Sequence, residues 1–219
     1  MTCRVCGGTS PLYYENGRQF FRCSACDFIF SDLAVSRRQE EQHYKGQWGL
    51  AEPQSWRSKA ELLLNLILQY TDPRSILDFG SGCGGLTEAL RGLGISTTPL
   101  EPMIHGFLKD QHYAQPFDAI VGVEVIEHLP DPLGELRELE KVLAPGGVMV
   151  FSTLLTNPFI DHPQSRELFS DWWYKDDPTH VGFFSNRTLD TLSRIRNYEI
   201  DVFADKLFVI RQKRVETSP

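Results

Sequence analysis

The hydrophobic positions of this chain change period several times, and each change marks an element. SKAELLLNLILQYTDP, from Ser58, places apolar residues around much of a helix, which ends before Pro73 and packs on a sheet. SILDFG then reads as a short strand, Gly80 to Gly85 as a turn, and LTEALRGLG as a helix closed by Gly94. ISTTPLEP predicts a second strand ending at Glu101, and FDAIVGVEVI is a near-continuous β-rich run, the pattern of a strand covered on both faces in a parallel sheet. In DPLGELRELEKVLAPGG, Asp131 is the cap, Pro132 the first helical position, and Leu133, Leu136, Leu139 and Leu143 the inner stripe. VMVFSTLL is another buried strand, and NYEIDVFADKLFVIRQKR reads as two strands joined at Ala204 to Lys206. Strand and helix alternate, which predicts an α/β fold with a doubly wound, mostly parallel Rossmann-like sheet.

The first part of the chain follows a different rule. Cys3-x-x-Cys6 and Cys23-x-x-Cys26 are separated by sixteen residues, the spacing of a two-knuckle site in which each C-x-x-C turn points two thiolates at one tetrahedral ion. Between the knuckles, bulky residues alternate around Asn16-Gly17, a strong hairpin signal, and DFIFSDL supplies a closing strand. A small N-terminal zinc ribbon is expected. Its four thiolates fill the tetrahedron, so the zinc is structural rather than catalytic. The alternative, two disulfides in a secreted mini-domain, lacks a signal peptide, and the fifth cysteine stands elsewhere, at Cys83.

Length and charge narrow the class. A chain of 219 residues holds one good core with an appendage: a ribbon at 1–33, a connecting segment at 34–57 and a main domain at 58–219 with a cap around 154–185. In the connecting segment His43, Tyr44, Trp48 and Trp56 either pack on the main domain or line its mouth. Net charge is −7, divided as +2 over residues 1–59 and −9 over the rest, with no clustered basic face for nucleic acid. Lys213 and Arg214 read as a solvated strand end. No apolar run approaches a bilayer span, so a cytoplasmic protein without a membrane partner is expected, its oligomeric state open.

The turn in ILDFGSGCGG carries the first chemistry. Gly80 and Gly82 let backbone approach a ligand, and the helix start behind them favours an anion, a pyrophosphate or a carboxylate. Glu101, nineteen residues after Gly82, is placed to accept ribose hydroxyls, so the set points to an adenosine cofactor. The glycine spacing also suits a nicotinamide dinucleotide. Asp78, one residue before the turn, would oppose a diphosphate and suits a cofactor with a cationic amino group and sulfonium.

ILDFGSGCGG, LEP, FDAIVGVEVIEHLPDP and LAPGGVMVFST, in this order, resemble the successive motifs of class I S-adenosylmethionine-dependent methyltransferases over residues 76 to 153. With the four-cysteine unit and the later WWYKDDPTHVGFFSNRTL, the chain is similar to bacterial methyltransferases with an N-terminal zinc-binding domain, a group that includes sugar methyltransferases. The resemblance implies that Asp78, Gly80, Ser81, Gly82 and Gly84 surround the methionine moiety, that Glu101 binds the ribose, and that Val123 and Glu124 lie beside the cofactor. EVIEHL recurs across that superfamily whatever the substrate, so Glu124, Glu127 and His128 carry a structural reading as well, in which His128 orders the loop rather than moves a proton. One departure stands out: only fifteen residues separate Glu101 from Phe117, where the family pattern fits a helix and a third strand. Asp110, Gln111 and His112 are the candidates there to face the adenine.

Substrate residues are expected after the fifth strand, where Trp172, Trp173, Tyr174, Asp176, Asp177 and His180 fall within nine positions. His180 is the candidate general base, with Asp177 or Tyr174 as partner and His128 as a further candidate; the alternative is that His180 ties down a cap. The expectation is methyl transfer to a small polar acceptor, sugar-linked ones included. Competing expectations are a zinc-ribbon RNA methyltransferase and a partner subunit that keeps the fold without turnover.

Overall fold

Alternate residues of the strand Phe117–Val123 face two different cores, and the molecule is built outward from that strand. The computed structural model describes residues 1–32 and 53–213. Ten strands are described, β1 (Leu12–Glu15), β2 (Gln19–Arg22), β3 (Ile29–Ser31), β4 (Ser75–Phe79), β5 (Ser96–Leu100), β6 (Phe117–Val123), β7 (Leu143–Ser152), β8 (Gly182–Phe183), β9 (Tyr198–Phe203) and β10 (Leu207–Gln212). The helices are α1 (Pro53–Ile67), α2 (Gly85–Gly92), α3 (Pro102–His105), α4 (Pro132–Val142), α5 (Asn157–Ile160), α6 (Ser165–Asp171) and α7 (Asn186–Arg196).

The main sheet runs β5-β4-β6-β7-β10-β9. Its first four strands are parallel, and β10 enters antiparallel between β7 and β9. Side chains alternate across it as a strand requires. Ile76, Ala119, Val121, Val148, Val150 and Val209 face α1 and α2, where Ala60, Leu63, Ile67, Leu86 and Leu90 are buried against them. Leu77, Ile120, Met149, Phe151, Phe208 and Ile210 face the other way, onto Leu136 and Leu139 of α4 and Leu189 and Leu192 of α7. Asp131 caps α4, its carboxylate accepting from the Gly134 amide at 3.0 Å. The helix expected from Ser58 starts earlier, at Pro53, a favoured first-turn residue.

Among the described residues no strand lies between Glu101 and Phe117. The segment holds α3 and one 3-10 turn at Leu108–Asp110, so β5 is the edge of the sheet. Pro99 sits in β5, opposite Asp78 of β4. Proline is tolerated in a sheet on an edge strand because it cannot donate to a further ladder, which blunts this edge.

The N-terminal residues form a second sheet, β1-β2-β3-β8, whose last strand comes from residues 182–183. The ribbon expected at 1–33 is therefore completed by the cap. One face of this sheet, through Phe28 and Phe30, joins the core of the main domain at Phe184 and Leu189. Tyr13, Phe20, Ile29 and Phe183 on the other face are covered by Phe159, Phe169 and Tyr174 of the cap. His43, Tyr44, Trp48 and Arg214 lie outside the described residues. Trp56 is half-buried at the start of α1, and a Cβ on Gly85 would stand 2.5 Å from its indole Nε1.

Candidate functional site

β4 ends in the glycine turn, and the turn is tied to the neighbouring strand by its own backbone. The amides of Gly80 and Ser81 donate to the Leu100 carbonyl at 2.8 and 3.2 Å. Gly80 has φ +72°, and a Cβ there would lie 2.4 Å from a Val125 methyl, so this position admits only glycine. Gly84, φ +84°, caps the N-terminus of α2, and a side chain there would project into open space. Glu101, at the carboxyl end of β5, is nearly buried; it accepts from the Gly82 amide at 3.0 Å and the Met103 amide at 3.3 Å. The Ser81 hydroxyl is buried without a hydrogen-bond partner among the described residues.

These features fit an adenosine cofactor carrying an amino acid. A buried hydroxyl lacks a partner, amides line a left-handed turn, and a carboxylate stands nineteen residues on at the next strand's end. Asp78 is 2 % exposed and accepts from Thr87 Oγ1 at 2.6 Å, tying β4 to α2. Burial, with the Glu101 charge adding to it, pushes the Asp78 carboxyl up to about 6, against the Thr87 hydrogen bonds. Val123, the last residue of β6, is half-buried beside this turn's strand. Asp110 and His112 are exposed, and the Gln111 amide is spent on the carbonyls of His105 and Phe107.

One strand over, the end of β6 and the cap meet in a cluster. Glu124 has φ +54°, an uncommon conformation for a side-chain-bearing residue, held by its amide bonding to the Ser152 carbonyl at 3.0 Å. Its carboxylate is exposed; it accepts from Ser152 Oγ at 2.9 Å and from the Tyr174 hydroxyl at 2.8 Å. The Tyr174 hydroxyl also meets Glu127 Oε1 and lies 3.1 Å from Thr153 Oγ1. Glu127 is fully buried, and desolvation, then the Glu124 charge, pushes its carboxyl up to about 8. Burial, then the charges of Glu127 and Glu124, push the Tyr174 phenol up as well.

His180 is 6 % exposed, and burial lowers its imidazole below the usual range while the Asp177 charge opposes this. Its Nε2 lies 4.0 Å from both Glu127 Oε1 and Asp177 Oδ2. Asp177 Oδ1 accepts from the Thr179 amide at 2.8 Å, which folds the loop before His180. Tyr174, Asp177, His180 and His128 are thus brought together. Sequence reasoning passed over the hub, Glu127, because it belongs to a motif shared across a superfamily, and missed Thr153 and Ser152 altogether.

The cap is held from the ribbon side by Arg18, next to the Asn16-Gly17 turn. Its guanidinium donates to the carbonyls of Lys175 at 3.3 Å, Asp177 at 2.9 Å and His180 at 2.6 Å, and to Ser31 Oγ at 3.0 Å. The ribbon itself converges on four cysteines, none in a disulfide. Sγ of Cys3 and Cys26 are 3.6 Å apart, those of Cys6 and Cys23 are 3.4 Å apart, and all four lie within 4.8 Å of one another. Metal–sulfur bonds of about 2.3 Å in a tetrahedron put sulfurs roughly 3.8 Å apart, so this cluster fits a metal ion. The amides of Val5 and Cys6 point at Cys3 Sγ at 3.4 and 3.5 Å, as a thiolate requires.

Comparison with known proteins agrees with this architecture. The sequence model of the methyltransferase domain family matches residues 33–201. A ubiquinone biosynthesis O-methyltransferase of Actinobacillus pleuropneumoniae serotype 5b (strain L20) is 32% identical over 107 residues, covering 37% of this chain and 46% of that protein. The chain thus spans about half the length of the relatives it matches. Among solved structures, the plantazolicin methyltransferase BpumL in complex with SAH superposes with TM-score 0.56 at 14% identity, over 82% of this chain and 92% of that one. SAM-bound CalS10, an amino pentose methyltransferase from Micromonospora echinaspora, gives TM-score 0.53 at 14% identity over 83% and 99% of the two chains. At these identities the two structures establish a shared fold. No helix of the described residues is long and apolar enough to cross a membrane. With more than half of its length matched by the family's sequence model, the chain belongs to the methyltransferase domain family.

Proposed function

We propose that this chain transfers the methyl group of S-adenosylmethionine to a hydroxyl oxygen of a small polar acceptor, and that its thiolate cluster holds a structural zinc ion. The observation that carries the reading is a juxtaposition. The glycine turn with Glu101 stands at the carboxyl ends of β4 and β5, and the Glu124–Tyr174–Glu127–His180 cluster stands at the end of the adjacent β6. Ligands of open α/β sheets bind along that edge. The relatives' named activity, O-methyl transfer, supports oxygen as the acceptor atom.

In this reading the turn from Gly80 to Gly84 and the Ser81 hydroxyl hold the methionine moiety, Glu101 takes the ribose, and Asp78 and Val123 flank them. When bound, S-adenosylmethionine supplies an electrophilic methyl group whose bonding pair stays on sulfur. The chain's own work is alignment, which supplies much of the catalysis of an in-line displacement. Glu124, the exposed carboxylate, accepts the proton of the acceptor hydroxyl as its oxygen gains the methyl group. Tyr174 holds Glu124 in place. His180, with Asp177 beside it, is too buried to touch the acceptor and acts as a positioning residue; His128 stands nearer the mouth. Four thiolates leave a zinc ion no open position, so its role is to fold the ribbon.

The test is to incubate zinc-loaded protein with S-adenosylmethionine and a panel of sugars and phenols while measuring S-adenosylhomocysteine release. Acceptor-dependent release that is lost in Glu101→Ala supports the reading. Cofactor binding without release on any hydroxylated acceptor contradicts it.

A further inference from the structure

Trp56 stands in the first turn of α1, half-buried, at the end of the helix that reaches the glycine turn. α1 leads into β4 and α2 leads out of it, and both pack on the same face of the sheet, so the two helices begin side by side at the carboxyl end of β4. The indole lies across Gly85, the first residue of α2. A Cβ on Gly85 would stand 2.5 Å from Nε1, 2.7 Å from Cε2 and 2.8 Å from Cδ1 of that ring. Gly80 and Gly84 have left-handed backbones, but Gly85 does not, so its conformation suits any residue and alanine would be the better helix former. The indole is what keeps a side chain out of this position.

The edge of the ring that meets Gly85 carries the indole N–H, a donor with no acceptor capacity. Further donors surround the same point. The amides of a helix's first turn have no partner within the helix. In α2 the Thr87 amide is spent on Asp78 and the Glu88 amide closes on the Gly84 carbonyl at 2.9 Å, which leaves those of Gly85 and Leu86. The Ser81 hydroxyl, buried without a partner among the described residues, belongs to the turn just before them. The Lys59 ammonium, one helical turn after Trp56, lies 5.0 Å from the indole centroid and adds a positive charge on this side. Donors and positive charge gathered in this way match a carboxylate. Resting on the methyl-donor reading above, we infer that Trp56 is a cofactor-binding residue: its indole N–H donates to the α-carboxylate of S-adenosylmethionine, and Gly85 is the seat that lets the ring reach it. Trp56 then favours the intact amino-acid cofactor over adenosine thioethers that lack the carboxylate.

The experiment titrates the zinc-loaded full chain by calorimetry with two ligands, S-adenosylhomocysteine and its decarboxylated analogue, which keeps the adenosine, the thioether and the amine. Trp56→Phe retains an aromatic ring over Gly85 and loses the N–H. It should weaken S-adenosylhomocysteine by about tenfold and the analogue by less than about twofold. Gly85→Ala, whose new methyl group displaces the indole, should reproduce that selective loss while leaving the indole's own chemistry intact. Equal loss for the two ligands would make Trp56 a packing residue and overturn the inference, as would wild-type affinity for S-adenosylhomocysteine in Trp56→Phe. An unaltered chain that binds neither ligand would overturn the methyl-donor reading and this inference with it, a result distinct from the other two.

Discussion

Arg18 and His180 lie 162 positions apart, and the guanidinium of the first donates to the backbone carbonyl of the second at 2.6 Å. The bond joins the tip of the four-cysteine ribbon to the loop that carries the candidate acceptor site. With two more carbonyls and the Ser31 hydroxyl on the same fork, Arg18 is the residue through which ribbon and cap are registered.

Replacing Arg18 by alanine leaves those carbonyls without a charged donor. Hydrogen bonds to charged groups contribute about 1.5–3 kcal/mol each, and they are not additive within one fork. Arg18→Ala should therefore lower unfolding free energy by roughly 2–4 kcal/mol and raise KM for the acceptor more than for the cofactor. Arg18→Lys, which keeps the charge without the planar fork, should rescue only part of the loss. Denaturant melts with paired KM measurements check this; equal KM changes for both substrates would count against it.

Metal removal should reach the acceptor site by the same route. The ribbon's fourth strand is β8, and His180 lies two residues before it. Stripping the thiolate metal with a chelator should lower the melting temperature and methyl transfer together, leaving S-adenosylhomocysteine affinity within about threefold, since ribbon folding depends on its metal. Calorimetry on matched metal-loaded and metal-free samples provides the measurement.

Tyr174→Phe keeps the ring among Trp172, His180 and Phe183 and removes the hydroxyl that meets both Glu124 and Glu127. Loss of one such charge-assisted hydrogen bond, about 1.5–3 kcal/mol, corresponds to a fall in turnover of roughly 10- to 100-fold. Turnover at the wild-type rate would remove Tyr174 from the machinery.

Asp78 predicts a pH dependence. Its carboxyl is raised by burial from 3.8 to about 6, so the folded chain binds its proton more tightly than the unfolded chain does. The resulting stability is full below pH 3.8, is lost as pH rises through about 6, and amounts to about 3 kcal/mol at 1.36 kcal/mol per pH unit. Asp78→Asn, whose amide oxygen can still accept from Thr87, does not titrate. Its melting temperature relative to wild type should therefore climb between pH 4 and about 6.5 and then level off. A constant difference across that range would show that Asp78 does not titrate in this way.

Much of this fold is legible in the sequence because the relevant physics is local. The near-continuous β-rich run FDAIVGVEVI already marks a strand covered on both faces, and Ile120 and Val121 indeed fall in different cores. The cysteine spacing likewise anticipates four sulfurs in one place. The missing strand after Glu101 had two signs, the short segment and Pro99 in the preceding strand, and only the first is conspicuous without the pairing partner. Other features depend on contacts between distant residues. Two residues, Gly182 and Phe183, are too short a run to read as a strand until β3 lies beside them. Arg18 resembles any turn arginine until the carbonyls of residues 175, 177 and 180 close around it. Glu127 shows its importance only through complete burial beneath Tyr174.

The most direct test of the central claim is calorimetric titration of the zinc-loaded full chain with S-adenosylhomocysteine, with NAD as the control. A single micromolar site for S-adenosylhomocysteine is expected, with no heat from NAD and a loss of affinity of about tenfold or more in Glu101→Ala, which removes the carboxylate assigned to the ribose. Absence of S-adenosylhomocysteine binding by the wild-type chain would contradict it: the turn at Gly80–Gly84 would then hold no methyl donor, and the fold would serve as a partner subunit without turnover.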